Sequence, residues 1–277
     1  MGAMDLIETT AGLRTALDAA RAEGRTVGLV PTMGAFHEGH LSLMRRAVAE
    51  CDVVAVTVFV NPLQFGAGED FDLYPRDLES DAVKAAAARV DVLFAPPGKE
   101  MFPTPPATTV AVAGPSEGRE GASRPGHFAG VATIVAKLFA LAGPCRAYFG
   151  EKDHQQLEVV RQMVADLSFP VDVVACPTVR EADGLALSSR NAYLSPAERA
   201  AAAVLYRALV AGRDLASAGV TGPDVLGRAM ADVVASEPLA DLDYAESVAG
   251  EGGALRLYVA ARVGATRLID NLEVPAS

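Results

Sequence analysis

The sequence feature that most limits the fold is an uninterrupted run rich in β-branched residues, Val-Val-Ala-Val-Thr-Val-Phe-Val at 53–60. A strand without polar alternation is covered on both faces, which is typical of a central strand in a parallel sheet. Similar short runs occur at 27–30 and 171–176, and segments with helical periodicity, such as 10–23, lie between such runs. This alternation predicts an α/β protein whose parallel sheet has helices on both faces.

The loop at 31–40, Pro-Thr-Met-Gly-Ala-Phe-His-Glu-Gly-His, connects the run at 27–30 to a segment with helical periodicity. Backbone N–H groups at a helix N-terminus are unsatisfied and carry partial positive charge, so such a turn suits a polyphosphate. Gly34 allows close approach of a ligand. His37 and His40 would share one face and donate to phosphate oxygens. A surface feature or half of a metal site is the alternative, although no cysteine cluster accompanies the pair.

The run at 53–60 ends in Asn-Pro-Leu-Gln-Phe. In a doubly wound sheet, ligands bind beyond the carboxyl ends of the strands, so we expect this loop to face the same crevice as His37 and His40. The side-chain amide of Gln64 offers two donors and an acceptor, which suit a carboxylate and hydroxyl groups. The alternative is an ordinary turn amide.

A second strand-to-helix turn is predicted at 150–156, where Gly-Glu-Lys-Asp-His-Gln-Gln follows a short strand at 146–149. Lys152 is one of only four lysines in the chain. Its place directly after a strand favours contact with a phosphate, and we expect Gln156 to face an acid substrate. A solvated charge cluster is the alternative.

The last part of the chain begins with Gly-Leu-Ala-Leu-Ser-Ser-Arg-Asn at 184–191. The two serine hydroxyls and the guanidinium of Arg190 are suited to the outer phosphates of a nucleotide. Two helices, at 196–217 and 224–236, and three short strands at 243–248, 255–261 and 266–272 are predicted after it. This order predicts a small α+β domain with a short antiparallel sheet. We therefore place two domains at 1–183 and 184–277.

The middle of the chain is irregular. The proline-rich stretch at 96–106 predicts a loop, and 108–112 predicts an edge strand. The glycine-rich segment at 114–126 is interpreted either as a lid or as a disordered surface insertion. It ends in Arg-Pro-Gly-His-Phe at 124–128, ahead of a helix predicted at 131–141.

Composition excludes several classes of protein. The chain of 277 residues has a formal charge of −11, which argues against a nucleic-acid surface. It has no apolar run near the roughly 18 residues of a membrane helix, and its N-terminus does not resemble a signal peptide. The three cysteines are far apart, which is typical of a reduced, cytoplasmic protein. We therefore expect no nucleic-acid or membrane partner.

Five stretches of the chain, taken together and in order, carry a family resemblance. The loop at 31–40 resembles the HxGH signature of the nucleotidyltransferase superfamily. With Phe-Val-Asn-Pro-Leu-Gln-Phe, Arg-Pro-Gly-His-Phe-Ala-Gly-Val, Phe-Gly-Glu-Lys-Asp-His-Gln-Gln-Leu and Asp-Gly-Leu-Ala-Leu-Ser-Ser-Arg-Asn, the sequence is similar to the pantothenate synthetase (pantoate–β-alanine ligase) family. The resemblance implies a Rossmann-like doubly wound parallel sheet in the N-terminal domain and a smaller α+β C-terminal domain.

The resemblance also implies a reaction. ATP, (R)-pantoate and β-alanine would give pantothenate, AMP and pyrophosphate through an enzyme-bound pantoyl adenylate. Mg²⁺ would accompany ATP, held mainly by phosphate oxygens and water rather than by a protein site. A cytoplasmic homodimer is implied as well.

The implied site residues fall into three groups. His40, the proton donor, His37 and Lys152 are catalytic. Gln64 and Gln156 bind pantoate, and Gln64 is also close to β-alanine. The ATP-binding residues are Met33, Gly34, Ala35, Phe36, His37, Glu38, Gly39, His40, Gly150, Glu151, Lys152, Asp153, Val179, Leu187, Ser188, Ser189 and Arg190.

Three rival functions share parts of these motifs. A transferase that attaches AMP or CMP to a phosphorylated substrate would need basic residues for the second phosphate, and the loop at 61–65 has none. A tRNA synthetase would need an anticodon domain or a basic face. A nucleotide-sensing protein would be favoured by a spoiled catalytic residue, and the motifs quoted above contain none.

Overall fold

The computed structural model describes residues 4–276, whose contacts divide the chain into two compact units, 1–177 and 178–277. The predicted domain boundary, after residue 183, falls slightly later than this division. The difference arises because Arg180 is tied to the second unit by an ion pair with Asp270 and a hydrogen bond to the carbonyl of Asn271.

The first unit contains one parallel sheet and its covering helices. Its strands are β1 (Asp5–Ile7), β2 (Val27–Val30), β3 (Val53–Thr57), β4 (Val92–Phe94), β5 (Cys145–Gly150) and β6 (Val171–Cys176). Its helices are α1 (Thr10–Ala22), α2 (Glu38–Glu50), α3 (Leu78–Ala87), α4 (Gly98–Met101), α5 (Arg119–Ser123), α6 (His127–Ala142) and α7 (His154–Asp166).

The strand order is β1-β4-β3-β2-β5-β6, and every paired neighbour is parallel. The chain moves outward from β2 through β3 and β4, then returns to the other side of β2 with β5. The topological switch point therefore lies between β2 and β5. Ligands of doubly wound sheets bind at such a point, beyond the carboxyl ends of the strands.

Alternate residues of the central strands point into two separate cores. Leu29 of β2 and Ala55 of β3 belong to a core completed by α1, α6 and α7. Their neighbours Val30 and Val56 belong to a second core completed by α2 and α3. The predicted doubly wound α/β sheet is therefore confirmed, because both faces of the central strands are buried by helices.

The second unit is the predicted α+β arrangement. Its helices α8 (Pro196–Ala202), α9 (Val204–Ser217) and α10 (Pro223–Ala235) precede β7 (Ala240–Ala249), β8 (Leu255–Val263) and β9 (Thr266–Val274). The three strands form an antiparallel sheet in sequence order. The helix predicted at 196–217 is two helices, because the ψ of −11° at Ala203 interrupts the helical ladder.

Three local predictions in the first unit are wrong. The strand predicted at 53–60 ends at Thr57, after which the N–H of Val58 turns to the carbonyl of Phe94. No strand forms at 108–112, because the N–H of Val110 donates to Thr133 Oγ1 in α6 instead of to a neighbouring strand. The stretch predicted as loop at 96–106 contains α4.

The segment 114–126 makes specific contacts with α7. It contains α5 and is fastened to α7 by Gln155, whose buried side chain donates to the carbonyls of Pro115, Glu117 and Gly118. The oxygen of the same amide accepts the N–H of Glu120 at 3.1 Å. Across residues 4–276, none of the helices has the length and apolar character needed to cross a bilayer.

Candidate active site

The loop after β2 has a strained backbone. Gly34 and Ala35 have φ values of +88° and +53°, the left-handed region that side chains disfavour. A Cβ atom at Gly34 would lie 2.8 Å from Asp81 Oδ2 and 2.9 Å from Val58 Cγ1, so only glycine fits there. Such a conformation persists only when surrounding contacts hold it.

Two side chains of α3 supply those contacts. Asp81 is buried and accepts the backbone N–H groups of Ala35 at 2.8 Å and Phe36 at 2.7 Å, one on each carboxylate oxygen. One helical turn later, Lys84 Nζ donates to the carbonyl of Phe36 at 2.8 Å. The loop is therefore fixed by charge-assisted hydrogen bonds from a single helix.

His37 and His40 cap the helix that follows. His37 Nδ1 accepts the N–H of Gly39 at 3.1 Å, and His40 Nδ1 accepts the N–H of His37 at 3.4 Å. A nitrogen that accepts a hydrogen bond carries no proton, so both neutral rings bear their proton on Nε2. The ring centroids are 4.1 Å apart. The caps therefore leave both Nε2–H groups as donors for a ligand.

Both histidines are neutral at pH 7. Burial, and then the positive charge of Lys152, lowers the pKa of His37 to about 4. Burial, then repulsion from His37, lowers the pKa of His40 to about 3. Lys152 and Lys84 both act on the two rings, so two cations and two imidazoles share this part of the structure.

The second predicted turn leaves the neighbouring strand. β5 pairs with β2 through Gly28–Arg146 and Leu29–Ala147, so the turn after β5 and the loop after β2 emerge side by side at the switch point. Residues Glu151–Asp153 form a 3₁₀ turn ahead of α7. Lys152 Nζ lies 3.4 Å from Asp153 Oδ1. A lysine beside two imidazole donors is suited to a polyphosphate.

Gln64 lies in the short turn after β3, at the same edge of the sheet. Its Nε2 is 3.1 Å from Met33 Sδ in the histidine loop, and its Oε1 accepts a hydrogen bond from Asn61 Nδ2 at 3.1 Å. Asn61 is fully buried. The structure therefore brings Gln64 beside the loop at 31–40, as the sequence predicts.

Gln156 lies in the first turn of α7, directly after the Lys152 turn, and is half-buried. Its neighbour Gln155 points elsewhere, to the segment 114–126. The two adjacent glutamines therefore have different surroundings. The sequence did not reveal this division, because the partners of Gln155 are about 40 residues away.

The remaining predicted ATP residues lie in the second unit. The N–H of Leu187 donates to the carbonyl of Val179 at 3.0 Å, so these two positions are adjacent. Ser188 Oγ accepts the N–H of Arg190 at 3.3 Å, at the start of a 3₁₀ turn, Ser189–Tyr193. The second unit thus brings its five predicted residues together.

Side chains that hold the site in place were missed by the sequence analysis. Asp81, Gln155 and the pair Arg124 and His127 all act on loops that are distant in the sequence. The only signal in the sequence was the motif at 124–128, which was noted without a role. Asp81 had no signal at all, since an aspartate within a helix normally faces solvent.

Comparison with known proteins agrees with the fold. The family model described as pantoate-beta-alanine ligase matches residues 5–273. A pantothenate synthetase of Heliobacterium modesticaldum is 54% identical over 263 residues, which cover 91% of this chain and 92% of that protein. One from Rubrobacter xylanophilus is 55% identical over 273 residues, which cover 92% and 93%.

Solved structures agree as well. The crystal structure of pantothenate synthetase from Thermus thermophilus has a TM-score of 0.91 and 52% identity, and the match covers 99% of this chain and 100% of that one. A pantoate-beta-alanine ligase from Francisella tularensis, complexed with beta-gamma ATP and beta-alanine, has a TM-score of 0.85 and 33% identity, with 99% of each chain covered. The chain belongs to the pantoate–β-alanine ligase family.

Proposed function

We propose that this chain joins (R)-pantoate to β-alanine at the expense of ATP, giving pantothenate, AMP and pyrophosphate. The observation that carries the proposal is the meeting of the loop at 31–40 with the Lys152 turn at the switch point, with Gln64 beside Met33. The relatives named above support the same reaction.

The first step is attack by a pantoate carboxylate oxygen on the α-phosphorus of ATP. The bond from that phosphorus to the bridging oxygen breaks, and pyrophosphate leaves with the bonding electrons. Negative charge accumulates on the phosphoryl oxygens, so fixed donors and cations lower the barrier. We assign this role to the Nε2–H groups of His37 and His40 and to Lys152.

His40 is proposed as the proton donor. In the ligand-free protein its low pKa keeps it neutral, and it offers a hydrogen bond rather than a proton. The phosphates of ATP oppose the effect of burial, because negative charge nearby favours the imidazolium form and raises the pKa. Proton transfer to the departing pyrophosphate therefore depends on the nucleotide itself.

Gln64 and Gln156 are proposed to bind pantoate. A neutral amide can orient a hydroxy acid without a strong ion pair, which would reduce the nucleophilicity of the carboxylate. In the second step the amine of β-alanine attacks the carbonyl carbon of the pantoyl adenylate. The bond to the AMP oxygen breaks, AMP leaves, and the amine loses a proton. We place β-alanine near Gln64.

The remaining proposed ATP ligands complete the nucleotide assignment. They are Met33, Gly34, Ala35, Phe36, Glu38, Gly39, Gly150, Glu151 and Asp153 in the first unit and Val179, Leu187, Ser188, Ser189 and Arg190 in the second. Backbone N–H groups at a helix start and a guanidinium both suit phosphate oxygens.

Mg²⁺ is proposed to arrive with ATP. Within residues 4–276 no three or more His, Cys, Asp or Glu side chains are grouped to hold a metal. A Mg²⁺ ion bound by phosphate oxygens and water needs no such group, so the residues present fit this mode of binding. When bound, the ion neutralises phosphate charge. We also propose that the protein is a cytoplasmic homodimer, which sedimentation of the purified protein and fractionation of cells test.

Product analysis tests the function. The protein is mixed with Mg²⁺, ATP, pantoate and β-alanine, and each small molecule is omitted in turn. We expect pantothenate and an equal amount of AMP only in the complete mixture. Consumption of ATP without either acid, or binding of ATP without cleavage, contradicts the proposal and points to another substrate or to a sensor.

A further inference from the structure

The motif Arg-Pro-Gly-His-Phe at 124–128 has no role in the reaction described above. The structure places it where α6 begins, with Gly126 in the left-handed region (φ +84°) as the residue before the helix. The side chain of Arg124 is only 15% exposed, and His127 is half-buried. Both side chains point to one peptide group, the carbonyl of Gln64.

His127 Nδ1 lies 2.9 Å from the carbonyl oxygen of Gln64. A carbonyl oxygen can only accept, so Nδ1 carries the proton and donates. His127 Nε2 is then the acceptor, and it faces Arg124 Nη1 at 3.2 Å. The arginine therefore fixes the tautomer that the Gln64 carbonyl requires.

Arg124 also contacts the same carbonyl directly, through Nη2 at 3.3 Å. Glu69 holds the guanidinium in this orientation, since its two oxygens accept from Arg124 Nε at 2.8 Å and Nη2 at 2.6 Å. Neighbouring Glu120 lies 3.9 Å from Arg124 Nη1. The Gln64 carbonyl thus has two donors, and one of them is fixed by a fork-shaped ion pair.

The backbone of α6 supports the same loop. A Cβ atom at Gly130 would lie 2.0 Å from the carbonyl oxygen of Leu63, so the helix and the loop touch at a point that only glycine allows. Asn61 Nδ2 donates to the Gly130 carbonyl at 3.1 Å as well as to Gln64 Oε1. Helix α6 therefore holds both the peptide group and the side-chain amide of Gln64.

We propose that Arg124 and His127 are positioning residues, which fix the Gln64 peptide and thereby aim its side-chain amide at pantoate. This inference rests on the proposed function, in which Gln64 binds pantoate. It predicts an effect on pantoate that exceeds any effect on ATP, because His127 hydrogen-bonds to Gln64 itself, whereas it reaches the loop at 31–40 indirectly, through the contact of Gln64 Nε2 with Met33 Sδ.

The test uses three variants of His127 in the full-length protein. The amide nitrogen of asparagine can take the place of Nδ1 and donate to the Gln64 carbonyl, whereas the amide of glutamine lies one bond farther away, and alanine has no donor. We expect His127→Ala and His127→Gln to raise the KM for pantoate about three- to tenfold, the loss of affinity that corresponds to one neutral hydrogen bond. His127→Asn should remain within about twofold of the unmodified protein, and the KM for ATP should not change in any variant.

Two controls separate positioning from a general loss of structure. Thr133→Ala removes a different hydrogen bond of α6, the one from the N–H of Val110, and should leave both KM values unchanged. In a Gln64→Ala background, His127→Gln should cause no further rise in the KM for pantoate, because the side-chain amide that His127 orients is absent. If His127→Ala does not fold, the asparagine and glutamine variants alone carry the comparison.

The outcomes distinguish the two proposals. If the unmodified protein makes no pantothenate, the proposed function fails and this inference fails with it. If the unmodified protein is active, but His127→Gln keeps the normal KM for pantoate or raises both KM values equally, only the positioning role is wrong. The positioning role is also wrong if His127→Gln still raises the KM for pantoate in the Gln64→Ala background.

Discussion

Asp81 offers the sharpest perturbation of the nucleotide loop. Its carboxylate is 1% exposed and accepts the N–H groups of Ala35 and Phe36 on separate oxygens. In Asp81→Asn an NH₂ group replaces one of the two oxygens. This group is a donor and cannot accept the hydrogen bond from the backbone N–H that it faces. The variant therefore loses one charge-assisted hydrogen bond and weakens the other, while the size of the side chain is unchanged.

The magnitude follows from the lost bond. A hydrogen bond to a charged group contributes about 1.5–3 kcal/mol. The loop conformation needs this support, since Ala35 adopts a φ of +53°. If this hydrogen bond stabilises the ATP-binding conformation of the loop, its loss should raise the KM for ATP roughly 10- to 150-fold, since about 1.4 kcal/mol corresponds to a factor of ten. The KM for pantoate should change much less.

The assay is pantoate-dependent exchange of pyrophosphate into ATP, measured over a range of ATP concentrations. The matched control is Asp77→Ala, which removes the N-cap of the same helix and its hydrogen bond from the N–H of Ser80. That variant should lose about 1 kcal/mol of stability and keep its KM for ATP. An unchanged KM in Asp81→Asn, or an equal rise in Asp77→Ala, would refute the reasoning.

Two further predictions concern charge. Burial lowers the pKa of His40 to about 3, and negative charge on ATP is expected to raise it, so ATP binding should take up protons increasingly as the pH falls below neutrality. Calorimetry in buffers of different ionisation enthalpy measures this uptake. We expect less uptake in His40→Gln, and equal uptake in that variant and the unmodified protein contradicts the prediction. In the second unit, Asp270→Asn leaves Arg180 without its buried partner and should lower the free energy of unfolding in urea by about 3–5 kcal/mol. Asp214→Asn, at the exposed pair with Arg213, should lower it by less than about 1 kcal/mol, and equal losses in the two variants contradict the prediction.

The sequence predicted two strands of the sheet at their observed bounds. Val27–Val30 and Val171–Cys176 are found where they were predicted, because short, mostly apolar runs rich in valine between turns favour a strand. The first strand, Asp5–Ile7, was missed because it is three residues long and mostly exposed. The strand expected at 108–112 failed for a non-local reason, since Thr133 competes for the N–H of Val110.

In the candidate site, too, contacts between residues distant in the sequence could not be predicted. Strand-to-helix turns are local features, so the positions of His37, His40 and Lys152 on such turns could be predicted from the residues around them. The side chains that hold those turns could not, because each acts on a distant loop: Asp81 is 45 residues from Phe36, and His127 is 63 residues from Gln64. No periodicity or spacing reports such contacts.

Formation of the adenylate is the central claim, and pyrophosphate exchange tests it most directly. With Mg²⁺, ATP and labelled pyrophosphate, the unmodified protein should move label into ATP when pantoate is present, without β-alanine. Lys152→Ala, which removes the cation beside His37 and His40, should slow the exchange strongly. Exchange that needs no pantoate, exchange that requires β-alanine, or a Lys152→Ala variant as fast as the unmodified protein would contradict the account.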